Sequence, residues 1–391
     1  MKPAWIVFLK EVRENLRDRR TVLNSLVVGP LLPALMFVML INVIVSRELA
    51  KAEQPLPVPV VGAEHAPNLV AALRQMGAVI KPGPADPEAA VRAQDADLVL
   101  RIPASYAESW RKGEPAQVEL VYDASQRETQ GPVGRLQKML ELYGQRTAAL
   151  RLVARGISPA VTRPVAVAER DQSTPQSRAG LMFMMLPYFF VLSAFIGGMA
   201  LAIDTTAGER ERQSLEPLFA NPAPRWQILA GKLGATSAFA AVTVLLSILA
   251  FAAAGHFLPT EKIGMALQIG LRFTATTLLA MLPLVALMAA LQTLVAAFAK
   301  SHREAQTYLS LLMFVPALPS ILLSILPLKA QLWMYAVPVV GQTLAITRLL
   351  RGDAVAAAEL AACVAGSAVA AALAIVVTAR IYRSERLAIS A

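Results

Sequence analysis

The sequence predicts an all-α membrane fold of six helical spans, with an extracytoplasmic α/β domain inserted between the first and second spans. Three observations lead there. The chain of 391 residues is 56% hydrophobic and only 16% charged, whereas an ordinary soluble domain carries roughly 25% charged residues. Its apolar residues are gathered into runs long enough to cross a bilayer, which takes about 20 residues of helix. Between the first two runs lies one stretch, 46–178, that is too polar for lipid and large enough to fold as a small domain.

The elements follow in chain order. In residues 1–21, Trp5, Phe8, Leu9, Val12 and Leu16 recur at helical spacing, with Lys10, Glu11, Arg13, Glu14 and Arg17 on the other faces. Such an amphipathic helix lies in the membrane interface with its aromatic side chains at the lipid boundary. The alternative is a soluble helix packed on a partner. The first span, 22–45, follows a charged stretch and is longer than the roughly 7–15 residues of a cleaved signal core, so it stays as a signal anchor.

Within 46–178, β-type runs occur at 56–62, 78–80, 96–102, 116–122 and 163–169. Helical runs lie between them at 68–76, 87–94, 104–112 and 132–155. Alternating strands and helices predict an α/β domain with a largely parallel sheet. The region 179–391 carries five further spans, 180–203, 233–255, 265–299, 306–327 and 356–379, a charged loop at 204–232 and a short C-terminal tail. The fourth span contains Arg272 and Pro283 and is long. It is either a short interfacial helix followed by the true span or one strongly tilted helix.

Lys and Arg in the short flanks set the orientation. One set of flanks holds Lys2, Lys10, Arg13, Arg17, Arg19, Arg20, Arg210, Arg212, Arg225, Lys232, Lys300, Arg303, Arg380, Arg383 and Arg386. The opposite set holds only Lys262, Lys329, Arg348 and Arg351. The first set is cytoplasmic. The chain is thus expected as a multi-pass protein of the cytoplasmic (inner) membrane, with both termini inside and 46–178 outside.

Several function classes drop out. The net charge of +10 sits beside the spans and forms no basic stripe interleaved with aromatics, which argues against nucleic acid. Cys363 is the single cysteine, so neither an intramolecular disulfide nor a cysteine metal cluster is available. It reads as a small apolar residue. His65, His256 and His302 are too scattered for a metal site. Gly231-Lys232 looks like the end of a P-loop, but Trp226 stands where the first glycine belongs and Leu233 where Ser or Thr belongs. No nucleophile elbow or zinc-protease motif occurs. The chain is therefore expected to catalyse nothing and to hold no cofactor or metal. Polar residues within the spans point to a pathway; the candidates are Asn42, Asp204, Arg272 and Gln292.

The segment 207–233, AGERERQSLEPLFANPAPRWQILAGKL, is the most informative stretch. Leu215, Leu218 and Phe219 stand at i, i+3 and i+4, one face of a helix. Pro217 suits the first turn of that helix. Asn221-Pro222-Ala223-Pro224 breaks the chain, and Pro224 can open a second helix that runs into the third span. Two short helices about a rigid corner suit docking to a soluble partner.

This run resembles the loop after the second span of type-2 ABC exporter permeases, in particular the NatB-like branch of sodium-export systems. The shared pattern is an acidic-basic stretch, a Leu-Glu-Pro-Leu core, then Pro-x-x-Arg-Trp and Gly-Lys. Pro338-Val-Val-Gly-Gln342 and Leu349-Leu-Arg-Gly352 resemble the segment before the last span of that family. The resemblance covers essentially the whole chain. It implies a six-span permease half that pairs with a second copy of itself through the first and fifth spans. Two cytoplasmic ABC ATPase subunits would bind ATP and Mg2+ and drive the export of Na+ or of an amphipathic, drug-like or lipid-like compound. By the same match Glu209, Arg210, Glu211, Leu215, Glu216, Leu218 and Phe219 would contact the ATPase. A membrane-anchored sensor or scaffold, whose extracytoplasmic domain binds a ligand or envelope partner, is the alternative. It leaves five spans and the docking loop unexplained.

Overall fold

A computed structural model describes residues 3–162, 165, 168, 170–214, 217, 223–258, 264–326 and 328–383. The chain divides into two units, Met1–Ser46 with Gln172–Ala391, and Arg47–Asp171.

The first unit is helical. Six of its helices are long and apolar enough to cross a membrane: Leu23–Arg47, Leu186–Glu211, Arg225–Gly255, Leu271–Ala296, His302–Leu323 and Ala357–Tyr382. The second of these is the central one: 67% of its most apolar window is buried, against 22% for the first, fifth and sixth. It packs on the third and fourth helices, and the fourth packs on the sixth. Glycines allow this closeness. A Cβ on Gly197 would stand 2.9 Å from the Ala240 Cα of the third helix, and one on Gly198 would stand 2.8 Å from Gln292 Oε1 of the fourth. Small residues at helix contacts are the usual means of packing in lipid, where burial of apolar surface provides no drive. Leu35, Met36, Met39, Leu318, Leu322 and Leu373 of the first, fifth and sixth helices remain exposed, an apolar surface that suits lipid tails.

Three boundaries differ from the expectation, those of the second, fourth and fifth spans. The second span starts at Leu186 and runs unbroken to Glu211, so residues expected to open a loop are helical. The third helix starts at Arg225, directly after Pro224, in agreement with the expected helix that runs into the third span. The fourth is a single helix with Pro283 inside it, and 264–270 stays non-helical. The fifth starts at His302 and is interrupted at Met313. The stretch 329–355, which holds the two runs that resemble the family's segment before the last span, contains two helices, Leu332–Tyr335 and Val340–Leu350. At eleven residues the second is too short to register as a span, and its polar groups are satisfied inside the bundle. Gln342 is buried and donates to the Ala280 carbonyl (3.2 Å) and to Ser367 Oγ (2.7 Å), while its Oε1 accepts from Val339 N (2.8 Å).

The unit Arg47–Asp171 is built on strands β1 (Leu56–Val61), β2 (Ala78–Pro82), β3 (Leu98–Arg101) and β4 (Glu119–Tyr122), in the order β2-β1-β3-β4. β1 runs parallel to β2 and β3; β3 and β4 are antiparallel. Alternate residues Leu56, Val58 and Val60 face a core completed by Leu98 and Leu100, by Leu69 and Leu73 of helix Pro67–Gln75, and by Val133 and Leu136 of helix Arg127–Val153. Most of the fifth expected strand, 163–169, lies outside the described residues. Arg101 on β3 binds Glu88 (2.6 Å) and Glu119 (2.9 Å), and the first of these holds the Glu88 carboxyl below its ordinary pKa.

Candidate functional site

The site is the junction where the second and third spans meet the N-terminal helix Pro3–Arg17. That helix packs against the start of the third span because Gly231 and Gly234 leave room for it. A Cβ on Gly231 would stand 2.7 Å from the Ala4 carbonyl oxygen, and one on Gly234 would stand 3.2 Å from the Phe8 ring. Phe8 and Val12, with Leu26, cover Leu201, Ala235 and Phe239. Trp5 stacks on Phe8 with ring centroids 5.0 Å apart, yet is 49% exposed, and Ile6 and Leu16 are exposed as well. The helix therefore has one face on the bundle and a second apolar face turned outward. The sequence groups Phe8 and Val12 with Trp5 and Leu16 on one lipid-facing side, whereas both pack on the bundle.

Packing the helix there brings four ionisable groups together. Lys232, on the third helix, is 0% exposed. Its ammonium is paired with Glu209 Oε2 and donates to the Thr205 carbonyl at 2.6 Å. Glu209 is 6% exposed, and its other oxygen lies 3.6 Å from Lys10 Nζ. Lys10 also reaches Glu11 and Glu14, both at 3.3 Å. Glu11 is 1% exposed, and Asn15 donates to its main-chain carbonyl. Burial pushes the Glu11 carboxyl above its ordinary pKa, against the pull of Lys232 and Lys10. For Lys10 burial acts downward, but Glu11, Glu209 and Glu14 outweigh it and the ammonium is held more tightly than usual. The buried Tyr382, at the end of the sixth span, lies within electrostatic range of Glu209, Arg210 and Glu11.

The local conformation aims these groups. Asp204–Gly208 is a π-helical turn, a widened turn that recurs at functional sites. The Thr205 and Thr206 hydroxyls fold back onto the Leu201 and Ala202 carbonyls. The four charges that follow then go to four places. Glu209 reaches the third span and the N-terminal helix. Arg210 Nη1 donates to the Ala299 carbonyl (3.1 Å) just past the fourth span, where a cation meets the negative end of a helix dipole. Glu211 Oε2 accepts from His302 N (2.7 Å) at the first turn of the fifth, where the positive end favours an anion. Arg212 returns to Asp204 at 2.5 Å. Buried Ile203, Ala207, Ala296, Ala299, Ala305 and Leu309 form the apolar floor beneath.

Of the expected docking set, Glu209 is buried in this junction, Arg210 is half-buried against the Ala299 carbonyl, and Glu211 stays exposed on His302 N. Leu215, Glu216, Leu218 and Phe219 lie outside the described residues. The expected pathway residues have separate surroundings. Gln292 is fully buried and donates to the Phe195 carbonyl at 2.6 Å, with its Oε1 unpaired. Asn42 reaches the Phe257 carbonyl at 3.4 Å. Arg272 is exposed in the first turn of the fourth span, and Asp204 is paired as above. Lys10, Glu11, Lys232 and Gln342 were not singled out as site residues from the sequence. The available signal was a lysine followed directly by the apolar third span, and a glutamine inside an apolar helix. Among the described residues no cluster of three or more His, Cys, Asp or Glu side chains could hold a metal.

Comparison with known proteins adds two findings. The family described as ABC-2 family transporter protein matches residues 20–376. The ABC transporter permease protein NatB of Bacillus subtilis (strain 168) is 27% identical over 318 residues, which is 80% of this chain and 80% of that protein.

Proposed function

The chain belongs to the ABC-2 family of transporter proteins, and we propose that it is the permease subunit of an ATP-driven exporter whose ATP and Mg2+ are bound by a separate ABC ATPase. Two copies of the chain and two ATPase subunits form the transporter. Both termini face the cytoplasm in the inner membrane, and Arg47–Asp171 lies outside. The cargo moves outward and is Na+ or an amphipathic, drug-like or lipid-like compound.

The observation that carries this reading is the junction itself. Consecutive charges from Glu209 to Glu211 reach the N-terminal helix and the third, fourth and fifth spans. A push on the segment between Arg212 and Arg225 is therefore delivered to most of the bundle at once. In this reading Leu215, Leu218 and Phe219 form the face that docks to the ATPase. Glu209, Arg210 and Glu211 hold the base of the loop. The test is reconstitution of the tagged chain, with the ATPase that purifies with it, into liposomes. Na+ or a lipid-like compound in the vesicles is expected to stimulate ATP hydrolysis and to be moved at its expense. A chain that purifies without an ATPase and binds a ligand through Arg47–Asp171 would instead be a sensor.

A further inference from the structure

Resting on that reading, we propose that Lys10, Glu11, Glu209 and Lys232 form an ionic joint that closes the base of the 210–231 segment and makes the N-terminal helix move with the second and third spans. Lys232 is a positioning residue of this joint. Its partner Glu209 is 23 positions away in sequence, so the pair clasps the two ends of the segment. Three of the four groups are almost completely buried. Buried ion pairs are poor stabilisers compared with apolar side chains of the same size, and their best-attested use is to specify one arrangement over another.

The N-terminal helix is attached in two ways that can be separated. One is apolar: Phe8 and Val12, and the groove opened by Gly231 and Gly234. The other is the contact of Lys10 with Glu209. Removing Glu209 together with Lys232 leaves no orphaned charge from the pair and spares the apolar contact. It takes away the link that registers the helix against the loop base.

Hydrogen exchange of the tagged chain, purified with its ATPase, tests the joint with and without Mg-ATP plus vanadate. In the wild type, nucleotide is expected to change the exchange of Pro3–Arg17 and Arg225–Gly255 together. In the double variant Lys232→Met/Glu209→Leu, Arg225–Gly255 should still respond while Pro3–Arg17 does not. Without nucleotide, Pro3–Arg17 of the double variant should exchange on the order of tenfold faster, as expected for a locally loosened element. The single variant Lys232→Arg, which keeps both charges of the pair, should retain the joint response. Equal nucleotide response of Pro3–Arg17 in wild type and double variant, or no response in the wild type, overturns the proposal. Should no ATPase purify with the chain, the exporter reading fails on its own; unchanged exchange of Pro3–Arg17 without nucleotide would then overturn the joint separately.

Discussion

Lys232 shows how one side chain can be costly alone and nearly neutral in company. With Lys232 replaced by Met, the Glu209 carboxylate stays buried and loses its main partner. Breaking a buried pair this way destabilises by about 3–5 kcal/mol, whereas replacing both members by apolar residues is often neutral or better. Lys232→Met is therefore expected to lower the thermal midpoint of the purified protein sharply, and the added Glu209→Leu to recover most of it. Glu11 contributes in the opposite sense. Its carboxyl pKa is raised by burial from the ordinary 4.5, so the folded chain binds this proton more tightly than the unfolded one. Stability from this group grows as pH falls through the raised value towards 4.5, and is lost as pH rises again. Thermal midpoints measured from pH 7.5 to 4.5 should show this gain in the wild type and a smaller one in Glu11→Gln.

Among the elements, helix Val340–Leu350 depends on polar contacts inside an apolar bundle. Gln342 satisfies the Ala280 carbonyl, Ser367 Oγ and Val339 N together, and Ser320 Oγ meets Thr343 Oγ1 at 3.2 Å. Gln342→Leu orphans those partners, each at about 1–3 kcal/mol. Faster hydrogen exchange confined to Val340–Leu350 and its neighbours is the expected outcome. Exchange unchanged from wild type would show that the helix is held by apolar packing alone. The start of the fifth helix offers a milder test. Ser301 Oγ accepts from Glu304 N at 3.2 Å, and loss of such a cap costs about 0.5–2 kcal/mol. Ser301→Ala should fray the first turn and loosen the Glu211 contact at His302 N without unfolding the bundle.

The whole molecule is tested by topology and docking. Ser105 is exposed in the α/β unit. In a Cys363→Ala background, Ser105→Cys should react with an impermeant thiol reagent on intact cells whose outer membrane, where present, is permeabilised. Labelling only after lysis would reverse the assigned orientation. Docking rests on the apolar triad of the loop. Each large apolar side chain buried in a partner contributes about 1.5–3 kcal/mol, and every 1.4 kcal/mol lost weakens binding about tenfold. Leu218→Asp with Phe219→Asp should thus abolish recovery of the ATPase while leaving expression in the membrane intact. Normal recovery and transport would reduce the loop to a linker between spans.

From the sequence alone came the six apolar helices, the polar unit between the first two, and the strand and helix runs at 56–62, 78–80, 96–102, 116–122 and 132–155. These are local properties: hydropathy over about 20 residues marks a span, and periods of 2 or 3.6 mark which face is apolar. The start of the third helix was also legible, because Pro224 cannot be mistaken for helix interior. The destinations of the charges were not. Glu209, Arg210 and Glu211 read as part of a docking loop because their partners within the chain lie 23, 89 and 91 positions away, and no local pattern reports a partner so remote. That Phe8 and Val12 face the bundle and not lipid stayed hidden for the same reason, since Gly231 and Gly234 matter only once that helix lies on them. Tertiary packing decided that Glu209 turns inward, because it meets Lys232 and Lys10 there and so escapes the cost of burial, while Arg210, Glu211 and Arg212 find a helix end or an opposite charge nearer the surface.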